Sequence, residues 1–289
     1  MRDDEPAVWL LNLDAERELA AGRPLTPNAR LAARMEAVRE AARRALFRPG
    51  DALLGEREAG GRVGRAWCRT ATARRRLEAA GARVEDWPAP ETVRRVNDRA
   101  FAAALGAGPP GARFVHPAEV GDAEAEVVRV LASAPPVGVG AWRVKRAFGV
   151  AGRGQRVLAP GAPTEAERAW LAAGLRRGGL QLEPELAIRL ELVVHGWVAG
   201  PGRWKLGVPR EQAVRGGAWQ ATVDLGEARL PERWARRLRA GCEEVAEALA
   251  AAGYRGPFGL DAYVWEDGGE GELVALSEIN ARYTMGWRV

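Results

Sequence analysis

Three oxygen-bearing side chains give the 289-residue sequence its clearest chemical pattern: Asp261 in GLDAYVW, and Glu278 and Asn280 in LSEINAR. Glu278 and Asn280 are two positions apart, so a β-strand puts both on one face. If the two segments pair across the acidic glycine turn at 266–271, Asp261 comes near them. Three oxygen donors on one sheet face suit Mg²⁺, especially when phosphates complete its octahedron. The same spacing also describes solvent-facing acids on a half-exposed antiparallel sheet.

A second group surrounds Lys145, which ends the run WRVK before Gly149, Gly152 and Gly154 in FGVAGRGQ. An ammonium there can hold a phosphate while loop amides approach its other oxygens. The pattern is neither a P-loop nor a dinucleotide fingerprint, because another strand follows the loop. A plain β-hairpin with a glycine turn accounts for it equally well. A third group is LQLEPEL, running through Glu183 and Leu186 towards Glu191. Its backbone could meet an adenine edge and Glu191 a ribose hydroxyl; a bent edge strand carrying proline is the plainer account. His116 precedes a proline and His195 lies beside a glycine, and neither joins a Ser/His/Asp or Cys/His set.

The elements that must position these groups fall into two styles. AVWLLNL (7–13) is strand-like, 27–46 carries apolar residues at helical spacing, DALLG is a candidate strand, and TATARRRLEAAG is a helix before a short strand at Arg83–Val84. Strand–helix alternation of this kind predicts an α/β layer with parallel strands. After Pro88 and Pro90 a single helix is predicted through PETVRRVNDRAFAAALG. Beyond the Pro/Gly stretch ASAPPVGVG the chain reads as antiparallel: WRVKRAF, RVLAP, a helix capped at Thr164, several strands from 180 to 224, a long helix from Pro231, and the closing hairpin.

Length divided by roughly 150 residues gives about two domains. A hydrophobic share of 47% with 28% charged residues belongs to soluble globular chains. No apolar run approaches the ~18–20 residues of a membrane span. The acidic opening MRDDE is a poor secretory signal, and two distant cysteines without CxxC spacing suit a reducing cytosol better than a disulfide or zinc scaffold. The formal charge is +5, yet the basic residues are dispersed instead of forming the concentrated stripe that nucleic-acid binding needs. All but two of the 43 basic residues are arginine. The two lysines, Lys145 and Lys205, therefore mark places where a compact ammonium could matter.

Taken in order, the Lys–glycine loop, the EP hinge, the strand carrying Asp261 and EINARYTMG resemble the ATP-grasp superfamily, in the manner of bacterial carboxylate-amine ligases. The resemblance covers roughly residues 91–289. It implies an α/β and α+β fold: a small Rossmann-like pre-ATP-grasp domain over 1–90, then an ATP-grasp domain over 91–289 of two α+β subdomains, with a lid at about 137–183. It implies ATP and Mg²⁺ as cofactors. Lys145 would contact the α- and β-phosphates under the loop from Gly149 to Gly154, Glu183 and Leu186 would border adenine, and Glu191 would hold ribose. Asp261, Glu278 and Asn280 would bind Mg²⁺; Arg282 would face the γ-phosphate or a substrate carboxylate, and Lys205 would add a phosphate-binding cation. Many members carry another lysine before the lid; here Arg113, Arg129 or Arg143 would have to replace it. The implied reaction joins a small carboxylate to an amine, with an amino acid or peptide as candidate, without nucleic acid or membrane, and with self-association open. A kinase acting on a hydroxyl, or a nucleotide-binding module without turnover, would use the same ATP residues.

Overall fold

A short apolar run, AVWL, forms β1 (Ala7–Leu10), and all four residues are buried. Continuous apolarity of this kind suits a parallel strand covered on both faces. The structure, a computed structural model, describes residues 5–24, 29–117, 122–150, 153–215, 218–225 and 230–289. After β1 come α1 (Ala15–Ala21), α2 (Ala29–Leu46), β2 (Ala52–Leu53), β3 (Val63–Ala66) and α3 (Ala71–Ala79). The strands form a parallel sheet in the order β2-β1-β3. Thr70 caps α3, its hydroxyl accepting from the Ala73 amide. β3 is not evident in the sequence, since VGRA has two apolar residues at most on either face. The strand expected at Arg83–Val84 is reduced to a single bridge between Val63 and Arg83.

The single helix expected after Pro90 is instead two, α4 (Pro90–Val96) and α5 (Arg99–Ala104). Asp98 causes the break: its side chain accepts from the Ala100 amide and starts a new helix. The next unit comprises β4 (Arg113–Val115), α6 (Ala123–Leu131), β5 (Trp142–Val150), β6 (Arg153–Leu158), α7 (Glu165–Leu175) and β7 (Leu180–Pro184). Its antiparallel sheet has the order β4-β7-β5-β6. Val144, Leu180 and Leu182 pack there against Val127, Leu131 and Leu171 from the two helices. α7 opens with a reciprocal capping box between Thr164 and Glu167.

The remainder contains β8 (Ile188–Gly200), β9 (Arg203–Leu206), β10 (Arg210–Arg215), β11 (Ala218–Asp224), α8 (Glu232–Ala251), β12 (Gly256–Trp265) and β13 (Glu272–Asn280). These strands form a sheet in the order β11-β10-β8-β12-β13, with β9 pairing β8. Alternation divides its two faces. Leu192, Val194, Leu260 and Val264 join Leu238, Val245 and Leu249 of α8 in the main core. The intervening residues, among them Glu191, Asp261 and Tyr263, face the other way, towards the sheet that holds Lys145. Among the described residues no helix is long and apolar enough to cross a membrane.

Candidate active site

Asp261 lies at the centre of a row running across the large sheet. Its register partners are Glu278 on β13 and Val193 on β8, while Asn280 stands opposite Gly259. The Asn280 amide donates to Asp261 Oδ2 at 2.9 Å, and the Gln212 amide, from β10, donates to Oδ1 at 3.1 Å. Glu278 Oε2 accepts from Arg99 Nη2 at 2.7 Å, and Arg99 Nη1 donates to the carbonyl of Arg146 at 2.8 Å. Thus one guanidinium from the first turn of α5 ties the acid of β13 to strand β5.

The two facing carboxylates have pKa values shifted in opposite directions. Burial, and then the charge of Glu278, push the Asp261 carboxyl up to about 7. Burial acts on Glu278 in the same direction, but Arg99, Lys145 and Arg282 outweigh it and hold its carboxyl below the ordinary value.

Across the gap, Lys145 on β5 makes an ion pair with buried Glu183 on β7. The other Glu183 oxygen accepts from the Gln181 amide at 3.1 Å. Arg143 and Glu185 repeat the arrangement at 2.5 Å. Leu186 packs with Tyr263, Trp265 and Val274 into a small apolar cluster. Glu191 stands in register with Tyr263, its carboxyl raised by burial against the pull of Lys145 and Arg143.

A cavity of about 640 Å³ lies between the two sheets. Lys145, Gly149, Gly154, Glu183, Leu186, Glu191, Asp261, Glu278, Asn280 and Arg282 all line it. Gly154 has φ +81°, a conformation that favours glycine at this hairpin. Gly152 lies outside the described residues. β13 ends at Asn280, so Arg282 lies beyond the strand and not on its face. Arg282 nonetheless reaches the cavity wall and pairs there with Glu16 of α1.

Lys205 does not join the group. It sits exposed on β9, opposite Trp197, and takes no part in lining the cavity. Its expected role joined lysine scarcity, which carries no positional information, to the place the family resemblance gives a further cation, and its side chain on β9 lies away from the cavity. Of the arginines considered as replacements for an upstream lysine, Arg113 and Arg129 pair with Glu126, while Arg143 lines the cavity. Arg99, Gln212 and Glu16 complete the site without any signal from motif spacing. Arg99 alone left a trace, in the Asp98 cap that orients its turn.

The residues present fit a divalent cation. Two carboxylates face each other in register, and their mutual repulsion contributes to the raised Asp261 pKa, a charge imbalance that a cation relieves. Asn280 offers a third oxygen if its amide is turned over. Among the described residues no three His, Cys, Asp or Glu side chains converge as a metal cluster, so such a site would rest on this pair and the amide. Cys68 and Cys242 are buried thiols whose pKa values burial raises, to about 12 for Cys242, which suits packing and not nucleophilic or metal chemistry.

No protein-family model matches the chain, and no curated protein does. Solved structures do. N5-carboxyaminoimidazole synthetase from Staphylococcus aureus, complexed with ADP, aligns over 97% of this chain and 71% of its own at 13% identity and TM-score 0.52. Carboxyaminoimidazole ribonucleotide synthase from Aspergillus clavatus, complexed with ATP, aligns over 99% and 72% at 15% identity and TM-score 0.52. D-alanyl-alanine synthetase A from Vibrio cholerae aligns over 98% and 90% at 13% identity and TM-score 0.53. At such identities the likeness is one of fold, and these neighbours are ATP-grasp proteins. The chain therefore has the ATP-grasp fold that the order of its motifs implies.

Proposed function

We propose that this chain is an ATP- and Mg²⁺-dependent ligase joining a carboxylate to an amine through an acyl phosphate, with release of ADP and phosphate. The observation that carries the reading is the register pairing of Asp261 with Glu278, facing Lys145 and Glu183 across one cavity. Two structural neighbours were solved with ADP and ATP, which supports a nucleotide in that cavity. We divide the chain at about residue 90 into a pre-ATP-grasp domain and the grasp. The segment from about 137 to 183 serves as the lid.

The chain's own residues divide the work as follows. Lys145, oriented by Glu183, holds the α- and β-phosphates, and Gly149 and Gly154 let the hairpin backbone approach them. Leu186 and Tyr263 flank the base, with Glu183 at its edge, and Glu191 accepts from a ribose hydroxyl. Asp261, Glu278 and Asn280 would hold Mg²⁺, which when bound screens the charge of the terminal phosphates. Arg282 orients the substrate carboxylate towards the γ-phosphorus. The carboxylate oxygen bonds to that phosphorus as the bond to the bridging oxygen of ADP breaks. The amine then displaces phosphate from the acyl carbon and loses a proton. Positioning and fixed charge supply most of the catalytic effect. Lys205 has no part in it.

An acyl phosphate can be intercepted by hydroxylamine. With MgATP, hydroxylamine and a panel of amino acids and dipeptides, the acceptor acid should yield a hydroxamate together with ADP. Arg282→Lys should then lower turnover more than ATP affinity, because a point charge lacks the guanidinium fork. ADP with a stable phosphate ester and no hydroxamate would replace the ligase with the kinase. AMP and pyrophosphate would exclude both.

A further inference from the structure

A second cavity, of about 390 Å³, lies where α8 and the loop at 105–110 meet β13. β13 is the edge strand of the large sheet, and here the Gly108 amide donates to the Leu276 carbonyl at 2.9 Å. Three features distinguish this cavity from a packing fault.

The first is Gly241, in the interior of the 20-residue helix α8. Glycine at such a position costs about 1 kcal/mol relative to alanine. Packing does not require it: a Cβ there would meet nothing closer than the Ala275 Cβ at 3.7 Å, an ordinary contact. Gly241 lines the cavity, and a longer side chain would occupy it. The second is Trp265, another lining residue, which is 7% exposed and whose Nε1–H has no hydrogen-bond partner. A buried indole N–H without an acceptor carries a cost that a bound carbonyl oxygen removes. The third is charge. Arg237 is engaged by Glu272 at 3.8 Å, leaving Glu244 without an ion pair among the described residues. The rim therefore favours a cation, over walls that include Leu105 and Leu276.

We propose that this cavity is a second ligand site, distinct from the ATP cavity, for a small amphipathic amine that carries a carbonyl group. The apolar body lies between the loop and α8, the ammonium faces Glu244, and the carbonyl oxygen accepts from Trp265 Nε1. Trp265 also packs with Leu186 and Tyr263, which line the larger cavity, so occupation of one site bears on the wall of the other.

The full chain, free of nucleotide, would be titrated with L-phenylalaninamide by calorimetry. The expected result is saturable binding below about 10 mM, weakened at least tenfold by Gly241→Leu and by Trp265→Phe. L-Phenylalanine, whose carboxylate meets Glu244, should bind more weakly than its amide. Circular dichroism would establish that each variant is folded; if Gly241→Leu is not, Gly241→Ala should give a smaller loss in the same direction. Absence of binding to the unaltered chain, or undiminished binding in a folded Gly241→Leu or Trp265→Phe protein, would overturn the assignment. So would equal affinity for the amino acid and its amide. ATP affinity, measured in parallel, tests the larger cavity independently.

Discussion

Asp261 and Glu278 share one register position, and their surroundings shift their pKa values in opposite directions. The folded-state pKa of Asp261, raised to about 7 by burial and then Glu278, lies above the unfolded value of ~3.9. Protonation therefore favours the folded state. This contribution is fully present below about pH 4 and is lost as pH rises through about 7. Glu278 acts the other way: its carboxyl is held low, so its contribution is present above the ordinary glutamate value and is lost on acidification. Burial pushes the His195 imidazole down to about 4, so its contribution grows as pH rises to its unfolded value of ~6.5 and opposes that of Asp261. From about pH 6.5 to 8 the loss from Asp261 is unopposed by it, and the metal-free protein should lose melting temperature there. Asp261→Asn should flatten the profile there. Mg²⁺ added at pH 8 should raise the melting temperature of the unaltered chain and leave that of Asp261→Asn unmoved. If Mg²⁺ moves neither, the pair is not a metal site.

At the level of elements, the site is held by strands from two sheets and one short helix. β5 carries Lys145 on one side of the cavity, β12 and β13 carry the acids on the other, and Arg99 of α5 spans the two. A lid reading makes β5 and β6 the elements that close on nucleotide, whereas α8 is fixed to the far side of the large sheet by its apolar face. Hydrogen exchange should slow on adding an MgATP analogue in Lys145–Gln155 and change little in Glu232–Ala251. Equal protection of both segments would contradict closure.

The closing hairpin was legible because two strand-like runs flank an acidic glycine turn, although the irregularity between Asp261 and Tyr263, which moves Asp261 from Leu276 to Glu278 in register, is not encoded by that turn. β10 was not, since REQAVR has too little apolar patterning to announce a strand and owes its place to pairing with β8 and β11. Arg99, Gln212 and Glu16 were illegible for a related reason. They come from elements far apart in sequence, and only tertiary packing brings them to Glu278, Asp261 and Arg282. Glu183 was read as an adenine neighbour; its partnership with Lys145 depends on β7 pairing β5, which no local spacing encodes.

For the whole molecule, the join between the small parallel sheet and the two antiparallel sheets runs through the candidate site itself. Glu16 of α1 is buried and pairs with Arg282, and Trp9, Leu19, Phe148 and Tyr283 belong to one apolar cluster across the join. Removing one member of a buried pair leaves the other uncompensated, at a cost of about 3–5 kcal/mol. Glu16→Ala should therefore reduce unfolding free energy by that order in urea titration, although it lies in the other unit from Asp261, Glu278 and Lys145. A cost within about 1 kcal/mol would mean that water reaches Arg282 and the join is not closed.

Tyr283 donates its backbone amide to the Trp67 carbonyl at 3.0 Å, and its ring lies 5.3 Å from that of Trp9. These contacts close the aromatic core of the small unit with a residue about 270 positions along the chain from its first strand. As the polypeptide leaves the ribosome, roughly 270 further residues must follow β1 before this ring of its cover exists. Until then Trp9 has Phe47 and Asp51 beside it but lacks the Tyr283 ring, so the small unit closes its aromatic core only after the strand β13 has emerged.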